Sequence, residues 1–104
     1  MMHESMFGVG ELVRHRLFGY RGVIYDVDAV FDGDDEWYEA VAKSRPPKDR
    51  PWYHVLVDGQ PVTTYVAERN LQTETDPRPI QHPLMARFFG DYQDGRYRLR
   101  LSEN

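Results

Sequence analysis

The chain consists largely of short segments in which apolar and polar residues alternate, separated by turn residues. Alternation with a period of two is the pattern of a half-buried β-strand, because successive side chains of a strand point to opposite sides. Glycine and aspartate at the breaks favour tight turns and antiparallel hairpins. The predicted strands are residues 12–18, 23–28, 52–57, 62–66 and 96–101. We therefore predict a mainly β fold, a small barrel of about five strands.

The alternation also predicts which side chains face the core. In the second strand, Val23, Tyr25 and Val27 are expected on the core face. Ile24 and Asp26 then fall on the opposite face, together with Asp28. The full set of expected core residues is Val23, Tyr25, Val27, Trp52, Val55, Leu56, Val66 and Leu71.

A first helix is predicted within residues 32–47. The segment begins with several acidic residues and ends with basic ones, which suits the helix dipole. Asp32 or Asp34 is expected as the N-cap, and the pair Pro46-Pro47 is expected to stop the helix.

A second, shorter helix is predicted near the C-terminus. Residues 84–89 follow a loop punctuated by proline and could form about two helical turns. We expect Phe88 or Phe89 to pack against the barrel.

Length and composition narrow the class of protein. A chain of 104 residues is expected to form a single domain over residues 1–104, because two separate cores would each be too small. The absence of cysteine excludes disulfides, thiolate zinc sites and thiol nucleophiles, and suits a reducing compartment. With no long apolar run and no secretory signal at its start, the protein is expected in the cytoplasm and away from membranes.

Motifs of catalysis and cofactor binding are weak or missing in the sequence. Gly8-Val9-Gly10 lacks the third glycine and the preceding strand of a dinucleotide site, so a turn is expected there. The acidic residues between 26 and 36 lack the spacing of a calcium loop and are interpreted as a strand end and a helix start. The four histidines show no metal-binding spacing, and no serine lies in a nucleophile elbow. We expect no enzyme activity, no catalytic residue, no cofactor and no metal.

Two groups of basic residues are candidates for a binding surface. If their strands pair, they could form one face that binds phosphates. They could equally protect a strand edge with charge, or contact the acidic start of the first helix. The sequence does not choose between these possibilities. The residues are Arg14, His15, Arg16 and Arg21 of the first hairpin, and Arg96, Arg98 and Arg100, which share one face of the last strand.

Trp52 and His54 form a third candidate surface at the start of a strand. Large aromatic rings beside an imidazole could stack on a nucleic-acid base or hold a peptide. In the alternative interpretation, which we favour, Trp52 caps the core and His54 forms a hydrogen bond to a neighbouring element.

Several blocks of the sequence resemble the bacterial heat-shock protein HspQ family, also called the YccV-like or hemimethylated-DNA-binding family. The resemblance extends from about Phe7 to Tyr97 and is most specific around residues 20–28 and 51–56. The blocks are 13–16 (VRHR), 18–28 (FGYRGVIYDVD), 37–38 (WY), 45–46 (RP), 51–57 (PWYHVLV), 65–71 (YVAERNL) and 82–83 (HP).

This resemblance implies a small SH3-like β-barrel with one or two short helices, a bacterial cytoplasmic setting and a homotrimer. It further implies a role in heat-shock protein degradation, including that of the replication initiator DnaA, by enhancing the Lon protease. Binding of hemimethylated DNA is also implied. The family carries no catalytic motif that can be placed on these residues.

Net charge separates the two implied activities. A charge of -4 suits a protein-binding role better than a DNA-binding one, because non-specific DNA affinity comes mostly from cations that neutralise phosphates. The sequence therefore favours a non-enzymatic adaptor or enhancer of Lon, which would bind the protease and its substrates. Hemimethylated-DNA binding is the alternative, and an uncharacterised enzyme comes third.

Overall fold

The computed structural model describes residues 4–100, which form seven strands and two short helices. The two hairpins predicted in the first two thirds of the chain are confirmed, and so is the mainly β fold. The elements are β1 (Leu12–His15), β2 (Arg21–Asp28), α1 (Asp35–Val41), β3 (Trp52–Val57), β4 (Thr63–Ala67), a 3-10 turn (Glu68–Asn70), β5 (Leu71–Thr73), α2 (Met85–Phe88), β6 (Phe89–Gln93) and β7 (Arg96–Leu99).

Five of the strands form one antiparallel sheet in the order β4-β3-β2-β1-β5. Its two edge strands are consecutive in sequence, because only the 3-10 turn links Ala67 at the end of β4 to Leu71 at the start of β5. A flat sheet would hold these edges about 19 Å apart. Four residue steps span at most about 14 Å. The sheet must therefore curl, which gives the SH3-like barrel shape.

Both faces of the curled sheet are covered. The inner face carries a core of Val13, Ile24, Tyr53, Val55, Val66 and Leu71, closed by Phe7. The outer face carries two separate clusters. One lies under the C-terminal segment and contains Leu12, Val23, Leu56, Ile80, Phe89 and Tyr97; the other lies under α1 and contains Tyr38, Trp52 and Ala67.

The predicted faces of β2 are right for Val23, Ile24 and Tyr25 relative to one another, but they are reversed at Val27, and the face of Ile24 is also a core face. Ile24 is fully buried in the inner core, and Val27 packs against that same core. Val23 and Tyr25 instead belong to the outer cluster under the C-terminal segment. The cause is a β-bulge between Ile24 and Asp26, which inserts Tyr25 as an extra residue and reverses the alternation after it.

Helix α1 is shorter than predicted. It begins after Asp34, whose carboxylate accepts a hydrogen bond from the Trp37 backbone N–H at 2.7 Å, as expected for one of the two candidate N-caps. The helix ends at Val41, several residues before the two prolines. Its buried residue is Tyr38, whose hydroxyl donates to the carbonyl oxygen of Pro46 at 2.7 Å.

The C-terminal part of the chain differs more from the prediction. Helix α2 has one turn rather than two, and Phe89 is the phenylalanine that becomes buried. Strand β7 pairs with β6 in a separate two-stranded sheet, so it is not a barrel strand. The fifth strand of the larger sheet is the short β5, which the alternation pattern does not reveal.

The turn at Gly8-Val9-Gly10 is confirmed, and it joins the two sheets. The Glu11 N–H donates to the Gly8 carbonyl at 3.2 Å, and the Tyr97 N–H donates to the Gly10 carbonyl at 2.9 Å. Gly10 has a φ of 91°, and a Cβ there would lie 2.0 Å from the Tyr97 carbonyl oxygen. Only glycine fits this close backbone approach. Neither helix of the described region has the length and apolar character needed to cross a bilayer.

Candidate functional groove

Arg14 and Arg21 of the β1–β2 hairpin are engaged inside the protein. Arg21 is only 7% exposed and lies 2.7 Å from a carboxylate oxygen of Asp58. It also donates to the carbonyl oxygens of Asp76 and Arg78, at 3.0 and 2.6 Å. Arg14 lies 2.6 Å from a carboxylate oxygen of Glu74. Both guanidinium groups therefore fasten the 74–78 segment to the sheet.

The two other candidates in this hairpin also make internal contacts. His15 is buried, and its Nδ1 accepts hydrogen bonds from the backbone N–H groups of Leu17 and Phe18, each at 3.1 Å. Its ring stacks on that of Phe18, and burial lowers the pKa of the imidazole. Arg16 donates through Nε to the Leu71 carbonyl at 3.0 Å.

The three arginines at the C-terminal end do not form one surface with the basic residues of the β1–β2 hairpin. The only pairing between the two regions within residues 4–100 is an isolated bridge between Glu11 and Arg96. The Arg96 guanidinium lies 3.6 Å from a carboxylate oxygen of Glu11, and Arg100 donates to the Ala86 carbonyl at 2.8 Å. Arg98 is exposed. A continuous phosphate-binding face is therefore not formed by these two groups of residues.

Trp52 and His54 both lie on the outer face of β3. Trp52 is almost fully buried under α1, and its indole N–H donates to the Pro47 carbonyl at 3.1 Å. His54 is half-buried, and its Nε2 lies 3.0 Å from a carboxylate oxygen of Asp28 on β2. These positions correspond to the interpretation in which Trp52 caps the core and His54 bonds to a neighbouring strand.

A groove of about 510 Å³ is lined by residues 63–67, which make up the whole of β4, an edge strand of the larger sheet. Leu17 and Phe18 of the β1–β2 turn lie on one side, and Val41 at the end of α1 lies on the other. The groove continues over the outer face to His54, so it is lined mainly by apolar and aromatic side chains.

A second, acidic pocket of about 440 Å³ adjoins this groove and shares three lining residues with it, namely Trp37, His54 and Tyr65. Gly33 and four aspartates complete the lining. The bulge in β2 brings Asp26 opposite His54, while Asp28 lies opposite Trp52. The two others precede α1, and the four together are Asp26, Asp28, Asp32 and Asp34.

A hydrogen-bond network holds the boundary between groove and pocket. One carboxylate oxygen of Asp28 accepts from the Tyr65 hydroxyl at 2.6 Å and lies 3.0 Å from His54 Nε2. The Tyr65 hydroxyl in turn accepts from the Asp32 backbone N–H at 2.9 Å. Burial and the bond to the Asp28 carboxylate both raise the pKa of Tyr65. Tyr65 therefore remains a neutral donor at physiological pH.

The residues Asp26, Asp28 and His54 could each offer one ligand atom to a metal ion, with these atoms all within 4.8 Å of one another. The sequence spacing gave no signal for this grouping, because the two aspartates and the histidine meet only through the β2–β3 pairing. However, the Asp28 oxygen nearest His54 is already engaged by Tyr65.

A curled five-stranded antiparallel sheet with a groove along its edge defines a small, mainly β protein of the SH3-like type. Residues 5–96 match the family described as hemimethylated DNA-binding protein YccV-like. The match covers most of the chain, including every strand of the larger sheet. The protein belongs to the YccV-like family.

Proposed function

We propose that the protein is a non-enzymatic cytoplasmic heat-shock factor that promotes degradation of certain proteins, DnaA among them, as an adaptor or enhancer of the Lon protease. The observation that carries this proposal is the groove beside the free edge of β4. An apolar groove next to unpaired strand backbone is a common way to bind a segment of another protein. The choice of Lon and DnaA as the protease and the substrate rests on the resemblance to the HspQ family.

Charge supports a protein partner over a nucleic acid. The net charge is -4, and the pocket next to the groove is lined by four aspartates. Arg14 and Arg21 are each within 2.7 Å of a carboxylate oxygen, so neither offers a free cation to a phosphate.

The test of this proposal is a degradation assay with purified Lon. DnaA is the substrate, and the rate of its loss is followed with and without the full-length protein. In parallel, the protein is titrated against hemimethylated and fully methylated duplexes of the same sequence. We expect faster degradation and no preference between the duplexes. An unchanged rate would contradict the proposal.

Hemimethylated-DNA binding is the second candidate, and the description of the family favours it. Arg98 is exposed on β7, and within residues 4–100 its side chain has no hydrogen bond or ion pair. Arg96 and Arg100 are exposed beside it and make only partial internal contacts. These three arginines are the candidates for contact with phosphates.

Replacement of Arg96, Arg98 and Arg100 with Gln separates the two candidates. If the three arginines bind phosphates, the affinity of the variant for DNA should be lower whatever the DNA sequence. The slope of log affinity against log salt concentration should flatten by about 0.9 per lost contact. A control removes the same charge outside the groove and the pocket through Lys48→Gln, Arg50→Gln and Arg78→Gln. A tight hemimethylated-specific complex, lost only in the first variant, would favour the DNA function.

A further inference from the structure

The free edge of β4 presents unpaired backbone groups at two residues. The Glu68 N–H donates to the Pro51 carbonyl, and the Val57 N–H donates to the Val62 carbonyl, so even-numbered residues of β4 bond to β3. In an antiparallel pair, the residues between them point their N–H and C=O groups the other way. Thr63 and Tyr65 therefore direct their backbone groups to the free edge, where residues 4–100 supply no partner.

The two sides of this edge differ in chemistry. On the side of Thr64, the groove is apolar: Leu17 is 61% exposed and Phe18 is 77% exposed. The Tyr20 hydroxyl holds this side to β4 through a 2.7 Å hydrogen bond with Thr64. On the side of Tyr65, the groove opens into the pocket of four aspartates. A strand lying along the edge would expose alternate side chains to these two environments.

We propose that β4 binds an extended peptide segment of a partner protein in which apolar and basic side chains alternate. The peptide adds a strand to the sheet through the backbone groups of Thr63 and Tyr65. Its apolar side chains contact Leu17 and Phe18, and its Lys or Arg side chains enter the aspartate pocket beside Trp37. This inference rests on the proposed function, since it specifies how the protein engages another protein.

Charge complementarity favours a peptide with basic side chains as the occupant of the groove and the pocket. Asp26, Asp28, Asp32 and Asp34 attract a cation and repel a nucleic-acid backbone or an acidic peptide. The aromatic ring of Trp37, which also lines the pocket, favours a guanidinium or ammonium group as well. Exposed apolar side chains on the opposite side exclude a segment that is basic at every position.

The first experiment uses the full-length 15N-labelled protein and the peptide acetyl-Val-Arg-Val-Arg-Val-amide. We expect chemical-shift changes confined to β4, the β1–β2 turn, α1 and the aspartate pocket at the end of β2 and before α1, with slower hydrogen exchange of the Thr63 and Tyr65 amides. The same peptide with Glu in place of Arg should not bind. Shifts located elsewhere, or equal binding of the two peptides, would overturn the inference.

A pair of proline variants tests the backbone contacts. Thr63→Pro removes an edge N–H that the β3–β4 ladder does not use, so the fold should tolerate it. We expect about tenfold weaker peptide binding. Thr73→Pro is the matched control, because Thr73 is also exposed. The Arg16 N–H donates to the Asn70 carbonyl and the Glu74 N–H donates to the Leu12 carbonyl, so even-numbered residues of this segment bond to β1. The Thr73 N–H therefore points to the free edge of β5. Thr73→Pro should bind the peptide like the wild type.

A pair of charge variants tests the pocket and does not disturb the backbone. The double change Asp26→Asn and Asp32→Asn should weaken peptide binding roughly fivefold and reduce its salt dependence. Asp91→Asn with Asp94→Asn removes the same charge from the β6–β7 hairpin, outside the groove and the pocket, and should leave binding unchanged. Equal weakening by both doubles would overturn the assignment of the pocket.

Two further readouts separate this inference from its alternatives. Sedimentation of Thr63→Pro should give the wild-type mass, and a smaller mass would mean that a second copy of the chain occupies the edge. In the Lon assay, equal stimulation by Thr63→Pro and wild type would overturn the inference and leave the proposed function intact. Peptide binding at β4 without any stimulation by the wild type would contradict the proposed function alone.

Discussion

For the polar side chains of this protein, burial decides more than residue type whether a residue stabilises the fold or is available to bind a ligand. Arg21 has the charge of a phosphate ligand, but it is buried against Asp58 and the carbonyls of the 74–78 segment. His15 is buried at the base of the β1–β2 turn and acts as a hydrogen-bond acceptor for two backbone N–H groups. Both residues therefore stabilise the local fold.

The state of His15 predicts a pH effect on stability. Burial lowers its pKa below the ordinary value of 6.5, so the unfolded chain binds a proton at a higher pH than the folded one. The stability linked to neutral His15 is present above about pH 6.5 and declines as pH falls toward the folded-state pKa. In His15→Asn the amide oxygen can still accept from the Leu17 and Phe18 N–H groups but does not titrate. We therefore expect its free energy of unfolding to decline less than that of the wild type as pH falls.

Urea unfolding of wild type and His15→Asn between about pH 7 and pH 5 measures this difference directly. The other histidines are common to both proteins, so their contribution cancels. Parallel curves of unfolding free energy against pH would contradict the role assigned to His15.

Two core residues provide a second test at this scale. Leu56 is fully buried, so Leu56→Ala should lower the free energy of unfolding by about 2–5 kcal/mol through lost transfer energy and the remaining cavity. Val27 follows the bulge and is only half-buried, so Val27→Ala should lower it by about 1 kcal/mol. Urea unfolding gives both values, and equal losses would contradict the burial difference.

Among the elements, β2 and α1 together create the acidic pocket. The bulge at Tyr25 places Asp26 opposite His54, while the N-cap of α1 fixes Asp34 and Trp37 at the other end. A regular β2 would have kept its alternation and turned the carboxylates of Asp26 and Asp28 to the other face. The pocket thus depends on one irregular strand and one capped helix.

The cap itself can be tested. Asp34→Ala removes the acceptor of the Trp37 N–H and should lower the free energy of unfolding by about 1 kcal/mol. Glu36→Ala is the control, because Glu36 lies in the same acidic first turn but does not cap the helix. Thermal and urea unfolding should show a clearly smaller change for the control. Equal changes would mean that general charge, and not the cap, stabilises α1.

For the whole molecule, the main feature is a curled sheet covered at both ends of its outer face. The C-terminal segment covers one end and α1 covers the other, and the groove along β4 and the acidic pocket both lie beside α1. Within residues 4–100, no further strand pairs with the edge strands β4 and β5 of the larger sheet. Proteins usually cover or pair such edges, so these two are candidate sites of association.

We expect a homotrimer of cyclic symmetry, as the resemblance to the HspQ family implies. Sedimentation equilibrium should give three times 12.3 kDa, about 37 kDa. The melting temperature should rise with protein concentration, because dissociation accompanies unfolding. A mass of one chain at micromolar concentration, with a melting temperature independent of concentration, would contradict this prediction.

The sequence by itself determined the features that depend on neighbouring residues. The two hairpins, the turn at Gly8-Val9-Gly10 and a helix cap at either Asp32 or Asp34 follow from local alternation, glycine and side-chain acceptors. Burial of Trp52, and of one residue of the pair Phe88 and Phe89, was also predicted, while the choice of Phe89 came from the structure. Local conformational preferences act over a few residues, which is why these features are readable without a structure.

Only the tertiary structure decided how distant segments meet. The bulge at Tyr25, the short β5 and the separation of β7 from the barrel have no period-two signal. The ion pair between Arg21 and Asp58 and the pairing of Asp26 with His54 both join residues that are far apart in sequence. Register between such strands is set by the packing of the whole core, because a shift of one residue would turn every side chain to the other face. For that reason, the groove and its acidic pocket became visible only in the folded protein.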